Sequence, residues 1–430
     1  MMITVVVLSL VGATLALPPR DGGNHWAVVV AGSNGWGNYR HQADACHAYQ
    51  ILHRNGIPDD RIIVMMYDDI ANNEENPTPG IIINRPNGTD VYKGVPKDYN
   101  KEDVTPDNFL NVLKGNKEAM AGIGSGKVLQ SGPEDNVFVF FTDHGAPNLI
   151  AFPESELHAK DMMEALQYMH DNNMYKNLVF YLEACESGSM FHRHLPDNIN
   201  IFATSAANPH ESSYACYFDE KRETYLGDLY SVKWMEDSDT EDLRKETLQR
   251  QFKIVRRETN TSHVREYGDM SMKNMTLLQF QGGKVDVPLT HLPPYPEVPL
   301  DAVPAPDVKL AVLQHRLKAA RTEEERSEIT DQIKQEFADR KMIQTTVDTI
   351  VRKVAVDSDQ ADQVLKDRTR DLTAHDCYKR AVTHFRRRCF LFNVYEHALR
   401  HLYTLVNLCE EGLPVDRITG VMDQVCIARN

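Results

Sequence analysis

The sequence predicts an α/β protein built on a mostly parallel six-stranded sheet flanked by helices, followed by an all-α C-terminal region. Three observations predict it. Short apolar runs rich in Val, Ile and Phe recur as far as Phe280, with helical patterns between them. Strand, helix, strand in repetition requires crossover connections and a parallel sheet covered on both faces. The texture then breaks at Gly282: residues 282–308 hold seven prolines and two glycines and no helical period. Beyond Pro306 only Pro414 interrupts a helical pattern that continues almost to the end.

Taken in order, residues 1–16 read as a secretory signal peptide. The apolar stretch Ile3–Val11 is too short to span a bilayer, and Thr14 and Ala16 supply small residues at the −3 and −1 positions of a cleavage site. Residues 17–281 form the α/β domain. Its strand candidates are His25–Ala31, Arg61–Met66, Asn136–Thr142, Asn177–Leu182, Asn198–Thr204 and Thr276–Phe280. Its helix candidates are His41–Arg54, Pro106–Ala121, His158–Asp171 and Thr240–Glu258. Residues 68–105, rich in Asn, Pro, Gly and Asp, read as long loops. Residues 282–308 read as an extended, semi-rigid linker, and 309–430 as a helical domain.

Composition narrows the function classes. With 430 residues, 42% hydrophobic and 25% charged, the chain is ordinary globular material of two or three domains. Its net charge of −15 argues against nucleic acid as a partner. No segment after the leader is long and apolar enough to span a membrane. Residues 307–430 carry 21 basic and 20 acidic side chains, so the first 306 residues hold a net −16. Sequons at Asn87, Asn260 and Asn274 suit a secretory route. Of seven cysteines, Cys377, Cys389, Cys409 and Cys426 lie in the helical part and can pair in three ways, leaving Cys46, Cys185 and Cys216 to the α/β domain.

In an open parallel sheet, ligands bind beyond the carboxyl ends of the strands. There the chain places Asn38, Arg40 and His41 after the first strand, and Asp143-His144-Gly145 after the third. Glu183-Ala-Cys185 closes the fourth strand, and Ser212 follows the fifth. Cys185 and His144 form the sharpest pair. A thiolate attacks carbonyl carbon, and an imidazole on the neighbouring strand end could take its proton. Gly145 lets backbone approach closely and lend an N–H to an oxyanion, with the Cys185 amide as second donor. A dinucleotide site at Gly32, Gly35 and Gly37 is set aside, because the spacing is not G-x-G-x-x-G and no acidic residue follows at the required distance. A metal site is not expected: His41 and His47 are six apart, and neither HExxH nor CxxC occurs.

The stretches AGSNGWGNYRHQADACHAYQ (31–50), MMYDDIANNEENPTPG (65–80), TDHG (142–145), EACESGSMF (183–191) and SSYACYFDEKRETYLGDLYS (212–231) closely resemble the legumain family of asparaginyl endopeptidases, caspase-like cysteine proteases of lysosomes. The resemblance covers essentially the whole chain after the leader. It implies a caspase-like catalytic domain over 17–281, an activation segment over 282–308, and a prodomain over 309–430 that covers the active site. It implies Cys185 as nucleophile, His144 as its partner and Asn38 as the residue positioning that histidine. It assigns Arg40, His41, Glu183, Ser212 and Asp228 to the pocket for the substrate side chain. It further implies the disulfides Cys377–Cys409 and Cys389–Cys426, no cofactor, a lysosomal or endosomal location, and cystatin-type proteins as inhibitors.

Those residue types fit an asparagine side chain. Arg40 can donate to its carbonyl, while Glu183 and Asp228 can accept from its NH₂. An aspartate carboxylate would be repelled at neutral pH and admitted once protonated. The charge asymmetry suggests acid release of the prodomain through catalytic-domain carboxylates held low by prodomain Arg or Lys. The family commonly processes itself at a linker asparagine, yet none occurs here between Asn274 and Asn393. Asp301 and Asp307 are the alternatives. Two competing readings are a catalytically silent binding protein on the same scaffold and a lipid-anchor transamidase subunit.

Overall fold

A computed structural model describes residues 23–283 and 292–426; the expected signal peptide lies outside the described residues. The described residues form twelve strands and twelve α-helices. Helix α1 (Tyr39–Arg54) joins β1 (His25–Ala31) to β2 (Ile62–Met65), and α2 (Pro106–Leu113) leads to β3 (Asn136–Thr142). A small antiparallel sheet follows, made of β4 (Gly145–Ala146), β5 (Leu149–Ala151) and β6 (Glu156–His158). Then come α3 (Ala159–Asp171), β7 (Asn177–Glu183), β8 (Ile201–Ser205), and the hairpin β9 (Tyr214–Asp219) and β10 (Thr224–Asp228). Helices α4 (Leu229–Thr240) and α5 (Leu248–Glu258), β11 (Arg265–Gly268) and α6 (Leu278–Gln281) complete the α/β domain.

The main sheet has the order β11-β8-β7-β3-β1-β2. Its pairings are parallel except that of β11 with β8. Along β1, Ala27, Val29 and Ala31 enter the core beneath α1, α4 and α5. The alternating Trp26, Val28 and Val30 enter the core beneath α2 and α3. Successive side chains point to opposite faces, so burial on both faces makes the strand apolar throughout.

The sixth strand is not where periodicity placed it. Thr276–Phe280 runs into the short helix α6, because Leu277, Leu278 and Phe280 bury against the sheet while Thr276 N–H donates to Gln279 Oε1 and closes a turn. The strand is instead Arg-Glu-Tyr-Gly at 265–268, a polar antiparallel edge. Helix α2 stops at Leu113 rather than Ala121, since Gly115 has φ +65° and a Cβ there would meet Leu129 O at 2.7 Å. The expected helix 240–258 begins only at Leu248, as α5; Thr240 ends the preceding helix α4, which periodicity did not predict, and residues 241–247 connect the two.

The C-terminal part packs α7 (Val308–Ala319), α8 (Glu323–Val354), α9 (Ser358–Lys366), α10 (His375–Arg388), α11 (Tyr403–Glu410) and α12 (Val415–Val425). Disulfides join Cys377 to Cys409 and Cys389 to Cys426, as the resemblance implied. The helical core takes in Ala146 and Leu149 of the β4–β5 hairpin, so the two parts share apolar packing. Lys379 and Asp161, Arg386 and Glu156, Lys160 and Asp376, and Arg193 and Asp371 form ion pairs around that contact. The linker also lies on the α/β domain. Strand β12 (Val303–Pro304) pairs antiparallel with β9 at Ala215 and Tyr214.

Candidate active site

Register places the reactive pair. Thr142 of β3 lies opposite Glu183 of β7, and Asp143 N–H donates to Glu183 O at 3.1 Å. His144 and Cys185 each follow that rung by two residues, so they leave the sheet side by side at its carboxyl edge. Gly145 is needed between them: a Cβ there would sit 2.2 Å from Cys185 O. Cys185 is 3% exposed, and its Sγ is 3.8 Å from Ser213 Oγ. Burial, with Glu186 adding to it, pushes the thiol up to about 12, against hydrogen bonds from Ser213 and Ser212. In this closed form the sulfur is a neutral thiol.

Asn38 arrives through the turn Trp36–Asn38 that opens α1. Its Oδ1 accepts from His144 Nε2 at 2.8 Å, which leaves the Nδ1 lone pair of His144 for a reacting proton. Its Nδ2 donates to Glu396 Oε1 at 2.6 Å, and that carboxylate oxygen lies 3.5 Å from His144 Nε2. Glu396 belongs to the helical part. Burial opposes charge on His144, but Glu396 outweighs it and raises the imidazole. Burial likewise opposes charge on Glu396, but His144 and the bond from Asn38 bring it down to about 2.

Beside this pair lies a buried polar pocket. Arg40 Nε donates to Asp228 Oδ1 at 2.9 Å, and both side chains are 1% exposed. Glu183 Oε2 accepts from Ser231 N–H and Oγ–H. His41 is held between Ser33 Oγ at 2.6 Å and Asp228 Oδ2 at 3.5 Å. Its imidazole is driven well below its usual value by burial and Arg40, so it is neutral. Three pocket atoms have no hydrogen bond: Arg40 Nη2, Glu183 Oε1 and Asp228 Oδ2, the last with only His41 Nε2 nearby at 3.5 Å. Burial and the adjacent Asp228 raise Glu183 well above the carboxylate range. Ser212 follows β8 and is half-buried next to Ser213, on the Cys185 side.

The structure thus brings together Cys185, His144, Gly145, Asn38, Arg40, His41, Glu183, Ser212 and Asp228. It does not bring Asp301 or Asp307 there. Both oxygens of Asp301 accept from Tyr217 and Phe218 N–H, and Asp307 pairs with Arg340. Asn87, Asn260 and Asn274 are exposed. Sequence reasoning missed Glu396 and Asp44, and named Asp143 without giving it a role. Glu396 has no local signal, whereas Asp143 stands next to His144. The expected carboxylate switch also differs. Glu156 pairs with Arg386 but is raised, because burial outweighs the arginine. The carboxylates lowered across the contact are Glu396, by His144, and Asp376, by Lys160, both on the prodomain side. Across the contact His194 and His375 stand 5.1 Å apart, and burial lowers both, His194 to about 4.

A cysteine and a histidine that close adjacent strands at the rim of a parallel sheet, roofed by a helical region of the same chain, define a cysteine peptidase held latent. The comparisons agree. Residues 25–283 match the model of the peptidase C13 family, and 331–426 match that of the legumain prodomain. Mouse legumain is 58% identical over 98% of this chain and 98% of that protein. Human legumain is 57% identical over 97% and 96%. Vacuolar-processing enzyme of Vicia sativa is 41% identical over 94% and 86%. A slighter likeness, to a crystal structure of caspase-1 from Spodoptera frugiperda, has a TM-score of 0.36 at 8% identity, covering 61% of this chain and 91% of that one, and adds no weight. The chain belongs to the peptidase C13 family, and it is a cysteine endopeptidase zymogen that carries its own prodomain. Among the described residues no helix is long and apolar enough to cross a membrane.

Proposed function

We propose that the mature enzyme hydrolyses peptide bonds after asparagine, and after aspartate as pH falls, with Cys185 as nucleophile and His144 as its proton partner. One observation carries this reading. Arg40 Nη2, Glu183 Oε1 and Asp228 Oδ2 are buried without hydrogen bonds, and together they offer one donor group and two carboxyl oxygens. A carboxamide supplies the complement, one carbonyl oxygen and one NH₂. An unpaired buried polar atom costs about 1–3 kcal/mol, so a ligand that satisfies all three gains accordingly.

The steps follow from the geometry. Lifting the prodomain removes Glu396 and readmits water, which lowers the Cys185 thiol from its buried value. His144 Nδ1 takes the thiol proton while Nε2–H stays on Asn38. The sulfur adds to the carbonyl carbon after asparagine, and the N–H groups of Gly145 and Cys185 hold the oxyanion. His144 returns the proton to the leaving amine, and water, deprotonated by His144, clears the thioester. An amine arriving before water would form a new peptide bond from the same thioester. The mammalian relatives named legumain, the expected leader and three exposed sequons support a glycosylated secretory-route protein acting in lysosomes or endosomes; cystatin-type inhibitors rest on the family resemblance alone. Asp301 and Asp307 are pinned outside the pocket, so processing there acts between molecules after the linker has loosened.

After acid treatment, a fluorogenic asparagine peptide should be cleaved by the native chain and not by Cys185→Ala. Cleavage by that variant would overturn the nucleophile assignment. Equal turnover of paired Asn and Asp peptides at pH 7 would overturn the pocket.

A further inference from the structure

The rim holds more carboxyl groups than the proposed peptidase chemistry accounts for. Asp44, Asp143, Glu183, Asp228 and Glu396 gather around the single buried guanidinium of Arg40. Substrate would satisfy Glu183 and Asp228, and Asn84 with the Asp228 N–H satisfies Asp44. Asp143 is left over. It is 3% exposed, and neither of its oxygens has a hydrogen bond. Gly32 packs against it, where a Cβ would lie 2.4 Å from Asp143 Oδ2.

Two imidazoles converge on this orphan carboxylate. His41 Nδ1 stands 3.4 Å from Asp143 Oδ1, and the His41 and His144 rings are 5.0 Å apart, edge to face. One ligand atom from each of His41, Asp143 and His144 lies within 4.8 Å of the others, and all three residues are buried. We propose that His41, Asp143 and His144 form an inhibitory site for a divalent transition metal, Zn²⁺ being the best fit.

Two imidazole nitrogens and a carboxylate oxygen, with a fourth position left for water, match zinc's preference. Bonds of about 2.0–2.2 Å in a tetrahedron require ligand atoms roughly 3.3 Å apart. The His41–Asp143 pair already meets that, and His144 closes the set by a ring shift of about 1–1.5 Å from the 4.8 Å limit. His144 keeps Nε2–H on Asn38 and ligates through Nδ1, the atom that would otherwise take the thiol proton. Bound zinc therefore removes the proton acceptor and leaves Cys185 chemically intact. Sequence spacing could not disclose the site, because residue 41 meets 143 and 144 only through the β1–β3 pairing.

Zinc binding to the full-length zymogen should be measured by calorimetry near pH 7, with Co²⁺ visible absorption reporting coordination number. One ion per chain is expected, with a tetrahedral Co²⁺ spectrum. Asp143→Asn and His41→Gln should each weaken binding at least tenfold, while His263→Gln on the exposed surface should leave it unchanged. Unchanged affinity in both site variants, or loss in His263→Gln, would overturn the proposal. Should the site variants unfold, a zinc-edge anomalous map of native crystals decides: density between His41, Asp143 and His144 supports the site, and density elsewhere or none refutes it. A second arm measures Asn-peptide turnover by the acid-activated enzyme returned to pH 6.5, expected to fall with micromolar Zn²⁺ and recover with a chelator. Binding and anomalous density stand apart from the peptidase reading, so failure of either can be told from failure of the other.

Discussion

Replacing Glu396 by Gln tests the latch directly. Gln can still accept from Asn38 but cannot charge-pair with His144. Glu396 falls from 4.5 to about 2 in the closed form, and at 1.36 kcal/mol per pH unit that corresponds to roughly 3 kcal/mol of closure. The side chain is 32% exposed, so solvent screening reduces this to about 1–2 kcal/mol. A five- to thirtyfold loss of the closed population follows. The sign sets the window. A depressed carboxylate contributes above its free value of 4.5 and is lost as pH falls toward about 2. A raised imidazole contributes fully below its free value of 6.5 and is lost as pH climbs through its raised value. Both operate between about pH 4.5 and 6.5, so the pair holds the prodomain shut in mild acid. Unprocessed full-length Glu396→Gln should show more Asn-peptide turnover than native chain near pH 5.5 and a much smaller excess at pH 8. Equal latency at pH 5.5, or an equal excess at both, would refute the electrostatic argument.

Acid opening must then come from groups that lose on protonation while closed. His194 and His375 are lowered by burial, so closure is favoured above their free value of 6.5 and weakens as pH falls below it. His375→Gln should move the midpoint of prodomain release about half a pH unit lower, read by gel filtration or hydrogen exchange; no movement would clear this histidine of the role. With paired peptides, Asn turnover should persist from pH 4 to 7, while Asp turnover should rise at least tenfold between pH 7 and 4.5, once the substrate carboxyl takes a proton. Cys389→Ser with Cys426→Ser opens a loop of 37 residues and should cost the prodomain about 2–4 kcal/mol, measured by calorimetric unfolding of the full chain. A cost below about 1 kcal/mol would mean that the helical core holds the closed form without the staple.

The central strands were legible because burial on both faces leaves near-continuous apolar runs, as in HWAVVVA and NVFVFFT. Helix α4 was not legible. Leu229, Tyr230, Val232, Trp234 and Met235 are buried, and so are Asp237, Ser238 and Asp239. A helix covered on most sides has no polar face to give it a period. Strand β11 was missed for the opposite reason: REYG has little apolar content, and its place is decided by pairing to β8.

The same division runs through the site. Order along the chain dictated that His144 and Cys185 would close neighbouring strands, because parallel strands end at one edge and carry their following residues there. Sequence alone also supplied the types needed to grip a carboxamide. Only the tertiary structure decided which pocket atoms lack partners, that Glu396 reaches Asn38 from 358 positions away, and that Asp143 lies unpaired beside two imidazoles. Those are statements about distance and desolvation, which depend on how helices pack over a sheet and leave no periodic trace in the residues.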